Sequence, residues 1–265
     1  MPLPVAEHFR QTHRHKLSTS KRDEEIASGL PENLDALPRL DGFRLRGIEM
    51  TRLETFIDAA FAFAVTMMVI AADRVPDDIN TLLAAFKNVP AFVASVAVLG
   101  IFWRGHWLWS RRYGLEDGVS SFISWALLVT VLIYIYPLKA LFGSMFYMLS
   151  SGNLGMTLGV RTEMQARSLF SIYALGFTAI AAEILLLHWR AWRLREPLRL
   201  NDRERELTRA DLAGWSVPLS VGVVALVLAL TLPVEYISLS GWIYFSMAIL
   251  VPIHRRLLKR RRRRD

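Results

Sequence analysis

The sequence predicts an all-α, polytopic membrane protein with six transmembrane helices, and three observations carry that reading. Apolar residues make up 53% of the 265 residues and are gathered into six runs, near 53–72, 79–103, 119–142, 168–189, 212–232 and 234–253. Each run is long enough to cross a hydrocarbon core of about 30 Å at about 1.5 Å of helical rise per residue. Charged residues fill the gaps between runs, and arginine is concentrated in alternate gaps, as the positive-inside rule requires.

Residues 1–43 are polar and mixed in charge, with HFRQTHRHK and KRDEE near the start and two prolines in LPENLDALPRL. That composition predicts a cytoplasmic N-terminal extension, partly disordered. His8, His13 and His15 have metal-ligating chemistry, but their irregular spacing without a second ligand cluster favours a solvated basic tail, and no metal site is expected. The extension has no apolar h-region, so no cleavable signal is expected.

The six-helix domain is expected over residues 44–254. Its first helix, RLETFIDAAFAFAVTMMVI over Arg52 to Ile70, places charge at the mouth of an apolar span. Asp58 is the ionised group inside it, and Arg52 and Glu54 precede Asp58 by one to two turns, so the three are expected to meet at one membrane boundary. Between the third and fourth runs, Gly143–Arg167 predicts a loop lying along the membrane surface, with gating of access as the sharper reading. Glu183, in the fourth run, is the other ionisable group expected at depth, within reach of His188 and Arg190. The fifth and sixth runs, separated at Pro233, predict a tight hairpin.

Orientation follows from the gaps. One set holds Arg104, Arg111 and Arg112, then seven arginines between Arg190 and Arg209, then eight basic residues in the 255–265 tail; the other holds ADRVPDD, the 143–167 stretch and a turn with Glu235. Both termini are therefore expected in the cytoplasm of a plasma (inner) membrane protein. The net charge of +8 is read as attraction of the basic cytoplasmic tail to anionic lipid headgroups, with no nucleic-acid partner. The absence of cysteine excludes disulfides and thiol catalysis. No metal-spaced His/Asp/Glu set, serine nucleophile motif or phosphate loop stands in the chain, so an enzyme is not expected.

Arg52, Phe56 and Asp58, spaced R-x-x-x-F-x-D and followed by an alanine-rich helix with Thr66 and Ile70, resemble the first-helix signature of the transmembrane protein 175 family of potassium channels. Trp103 and His106 resemble that family's W-x-x-H, and the third run, closing on Tyr136 and Pro137, resembles its apolar helix ending in proline. The family usually has Ser where this chain has Ile57. An Asn common in its third helix has no counterpart here, Ser124 and Trp125 lying nearby.

The resemblance implies a homotetramer conducting potassium ions, without a cofactor, through a central pore lined by the first helix of each subunit. It assigns Phe63, Thr66 and Ile70 to the pore, Phe63 and Ile70 as apolar constrictions and Thr66 as a hydroxyl ring. It assigns Arg52, Asp58, Trp103 and His106 to a polar network that fixes the pore helix. Spacings of three and four keep Phe63, Thr66 and Ile70 on one helical face. Two alternatives remain open from the residues alone: a nonconducting scaffold in which those side chains only pack, and a proton-coupled transporter using Asp58, Glu183 and His106.

Overall fold

The computed structural model describes residues 24, 26–70, 77–155, 159–160 and 162–253. The expected metal-free histidine tail and the basic tail at 255–265 lie outside the described residues. A 3-10 turn at Leu34–Ala36 leads into a two-stranded antiparallel hairpin, β1 (Arg39–Leu40) and β2 (Phe43–Arg44). Asp41 and Gly42 turn it with φ of 53° and 82°, a conformation glycine adopts without strain. Leu34, Leu37 and Phe43 are buried, so the folded unit begins before residue 44, inside the stretch read as a polar extension.

Six long or linking helices follow: α1 (Arg52–Ile70), α2 (Ile79–Phe86), α3 (Val89–Tyr113), α4 (Gly118–Leu149), α5 (Glu163–Arg193) and α6 (Asp202–Thr231). The second apolar run is thus two helices. Asp78 and Thr81 form a capping box that starts α2, while Pro90 sits in the first turn of α3, where its missing N–H goes unneeded. Helix α3 continues past Arg104 to Gly114, whose φ of 58° ends it. Helix α4 carries Pro137 internally and extends to Leu149. The expected 143–167 loop is correspondingly shorter, because residues 143–149 and 163–167 are helical. Capping boxes Thr162/Gln165 and Asn201/Glu204 start α5 and α6.

The last run is broken into a 3-10 turn (Val234–Tyr236), a short α7 (Leu239–Trp242), a 3-10 turn (Ile243–Ser246) and helical backbone over 247–253. Among the described residues, five segments are long and apolar enough to cross a membrane: α3, α4, α5, α6 and Val234–Ile253. The 19-residue α1 precedes them.

Helices α5 and α6 pack along most of their lengths, α4 lies on α5, and α1 lies on α4 and α3. The main core joins Ile57, Phe61, Ala64 and Met68 of α1 to Phe102, Leu127, Tyr134, Phe177 and Ile180 of the supporting helices. A second cluster, with Phe43, Trp109, Tyr113, Leu187 and Leu198, closes the arginine-rich end. There Arg44 and Arg46 meet Glu204 at 2.8 and 2.9 Å, tying the hairpin to the first turn of α6.

Candidate functional site: the first helix and its polar supports

Helix α1 has two faces with opposite fates. Glu54, Ile57, Phe61, Ala64 and Met68 are buried, whereas Arg52, Phe56, Ala59, Phe63, Thr66 and Val69 are exposed at steps of three and four. The exposed residues form one stripe that, among the described residues, is met only at Phe56, whose ring lies 5.0 Å from that of Trp125 in α4. Phe63 is 55% exposed, a large apolar surface to leave uncovered. Thr66 is exposed on the same stripe, and its hydroxyl donates to the Ala62 carbonyl at 3.1 Å. With its hydrogen engaged there, the oxygen turns its lone pairs outward. Ile70 is the last described residue of the helix; its side chain lies outside what is described.

The polar residues expected to form one network divide into separate contacts. The Trp103 indole N–H donates to Asp58 Oδ1 at 2.8 Å, linking α3 to α1. His106 Nε2 lies 3.1 Å from Ser124 Oγ, linking α3 to α4; Ser124, rather than Trp125, is the residue that answers the histidine. Arg52 is exposed and makes no ion pair with Asp58. Six residues turn a helix through about 600°, so Arg52 and Asp58 point in directions about 120° apart. Glu54, not Asp58, meets an arginine: Arg111 Nε lies 3.2 Å from Glu54 Oε1.

Glu183 does not reach His188 or Arg190. Thr130 of α4 donates to it at 2.8 Å, while His188 Nδ1 contacts the Ile184 carbonyl and Arg190 pairs with Asp117 at 2.8 Å. Asp117 caps α4 outside the spans. Burial raises its pKa, but hydrogen bonds from Ser120 and Arg190 outweigh that and hold the carboxyl below its ordinary range. Sequence reasoning missed Lys139, near the end of the third apolar run, which donates from α4 to the Met68 carbonyl of α1 at 2.9 Å. Its signal was a single lysine two residues after Pro137 in an apolar run.

The chain's fold and sequence have relatives among known proteins. A family model described as the endosomal/lysosomal potassium channel TMEM175 matches residues 52–137. A potassium channel of Marivirga tractuosa is 30% identical over 232 residues, spanning 84% of this chain and 93% of that protein. The crystal structure of a threonine-to-alanine variant of the potassium channel MtTMEM175, in complex with a nanobody fusion protein, superposes with a TM-score of 0.72 at 29% identity, covering 84% of this chain and 100% of that one. A lysosomal potassium-selective channel TMEM175 homolog from Chamaesiphon minutus, at 22% identity and a TM-score of 0.54 over 76% of this chain and 95% of that one, shares the fold. With a relative this similar over nearly its whole length, the chain belongs to the TMEM175 family.

Proposed function

We propose that this protein is a potassium-selective channel of the inner (plasma) membrane, formed by four copies of the chain around a central axis. The observation that carries the reading is the largely uncovered stripe of α1, which ends in a large exposed phenylalanine and an outward-facing threonine oxygen. Closed cyclic symmetry gives such a stripe a partner in its own copies. Helix α1 and the five other apolar segments then make six spans, with the arginine-rich end and both termini in the cytoplasm.

In that assembly a ring of Phe63 forms an apolar constriction that closes by excluding water, and Ile70 supplies a second ring about two turns further on. The Thr66 ring replaces part of the potassium hydration layer, because each hydroxyl offers lone pairs rather than a proton. Trp103 with Asp58 and Lys139 with Met68 hold α1 at two depths, so their task is to fix the helix. No step calls for bond making or breaking.

Paired flux and melting measurements on liposome-reconstituted and purified protein test the reading. Phe63→Ala is expected to raise potassium flux, and Thr66→Val to lower the preference for potassium over sodium with little change in stability. If Phe63 only packs, Phe63→Ala instead loses stability, on the order of 3–5 kcal/mol by analogy with soluble cores, with flux unchanged. A coupled transporter is distinguished by its need for a second solute, since a channel conducts on the potassium gradient alone.

A further inference from the structure

At the arginine-rich end, between the N-terminal segment, the first turn of α1, the last turns of α3 and the start of α4, lies a cavity of about 440 Å³. Two buried side chains in its lining carry atoms without a hydrogen-bond partner. Glu54 is 2% exposed; Arg111, the Thr51 N–H and the Ser110 hydroxyl stand beside its carboxylate, but none engages either oxygen in full hydrogen-bond geometry. Arg111 approaches Oε1 at 3.2 Å but directs Nη1 onto the carbonyl oxygens of Gly47 and Ile48 at 3.0 and 3.1 Å. His106 is also 2% exposed, and with Nε2 facing Ser124 its Nδ1 is without a partner. In the tautomer whose Nε2–H donates to Ser124, Nδ1 is an acceptor, and an N–H donor in the cavity then serves both groups.

The volume exceeds what a single water fills, about 30 Å³, and falls within the range of small-molecule sites, roughly 300–1,000 Å³. Charge selects the kind of molecule. Glu49 and Glu116 stand exposed at the rim and form no ion pair among the described residues, while Arg46 in the wall is held by Glu204 at 2.9 Å. Leu53, Trp109 and Leu115 supply apolar wall. We propose that this cavity is a binding site for a small organic cation with a flat amidinium or guanidinium head, which donates to Glu54 and His106 while an apolar body lies on Leu53 and Leu115. A forked planar donor suits a buried carboxylate neither of whose oxygens is engaged in full hydrogen-bond geometry.

Benzamidine, with its neutral isostere benzamide as the comparison, probes the site on the purified full-length protein by equilibrium dialysis and thermal shift. Neither readout involves ion flux, so the result is independent of the channel reading. Saturable binding of benzamidine and not benzamide is expected, weakened about tenfold or more by Glu54→Gln through loss of a charge-assisted hydrogen bond. Should Glu54→Gln fail to fold, the double rim variant Glu49→Gln with Glu116→Gln, both on exposed positions, is expected to weaken binding about threefold at low ionic strength and not at 1 M salt. Absent or non-saturable benzamidine binding, equal binding of benzamide, or parental affinity in these variants overturns the proposal.

Discussion

Trp103 joins α3 to the first helix through one indole N–H on Asp58 at 2.8 Å, so the two residues can be tested one atom at a time. Trp103→Phe removes the donor and leaves the carboxylate to water; a loss of about 1–3 kcal/mol, read as a lower Tm in detergent, is expected. Arg52→Ala leaves that contact intact and should stay closer to the parent. Asp117 contributes to the acid sensitivity. Its pKa is depressed in the folded chain, chiefly by Ser120 and Arg190 acting against burial, so its stabilising contribution is present above the ordinary carboxylate range and lost as pH falls through the folded value. Tm should therefore fall below about pH 4, and Asp117→Asn should flatten that part of the curve at the cost of stability at neutral pH. Of the residues singled out from sequence, Asp58, Trp103 and His106 were legible by type and order. Their partners were not, because which of Arg52, Trp103 or Ser124 a side chain meets is decided by angles between helices, which spacing along one helix does not contain.

Among the elements, apolar runs located the helices and misplaced their ends. Hydropathy falls at Arg104, yet α3 runs on to Tyr113 because Trp109 and Tyr113 are buried against Phe43 and Leu187 in the second cluster. The break between α2 and α3 was written in Pro90, a helix-start signal that an apolar count passes over. Helices α5 and α6 approach closely at Gly222, where an added methyl group would lie 2.5 Å from Thr178 Oγ1 and 3.1 Å from Phe177. The Thr178 hydroxyl is tied to the Ala174 carbonyl at 2.6 Å and has little freedom to withdraw. Gly222→Ala is expected to destabilise the protein by about 1–3 kcal/mol through overpacking, despite alanine's better helix propensity, and thermal melting of the purified variant checks it.

For the whole molecule, the alternation of arginine-rich and arginine-poor gaps predicts an inner and an outer end, and the folded chain gathers Arg44, Arg46, Arg111, Arg112 and Arg190 at one end with their acidic partners. The chain has no cysteine, so single cysteines introduced at positions 77 and 260 report sidedness directly. An impermeant thiol reagent applied to sealed cells should label position 77 and spare position 260; labelling of both from outside contradicts the six-span arrangement. What the runs of sequence could not convey is that a lysine of α4 reaches the far end of α1. The peptide dipoles of a helix leave its C-terminal end with about half a negative charge. Several parallel copies of α1 around one axis would add these fields at the same mouth and draw in cations of every kind. The ammonium of Lys139, donating to Met68 close to that end, offsets the field at its source. In the proposed tetramer the local concentration of cations would thus be set by a residue on a neighbouring helix, and choosing among them would fall to the oxygen of Thr66.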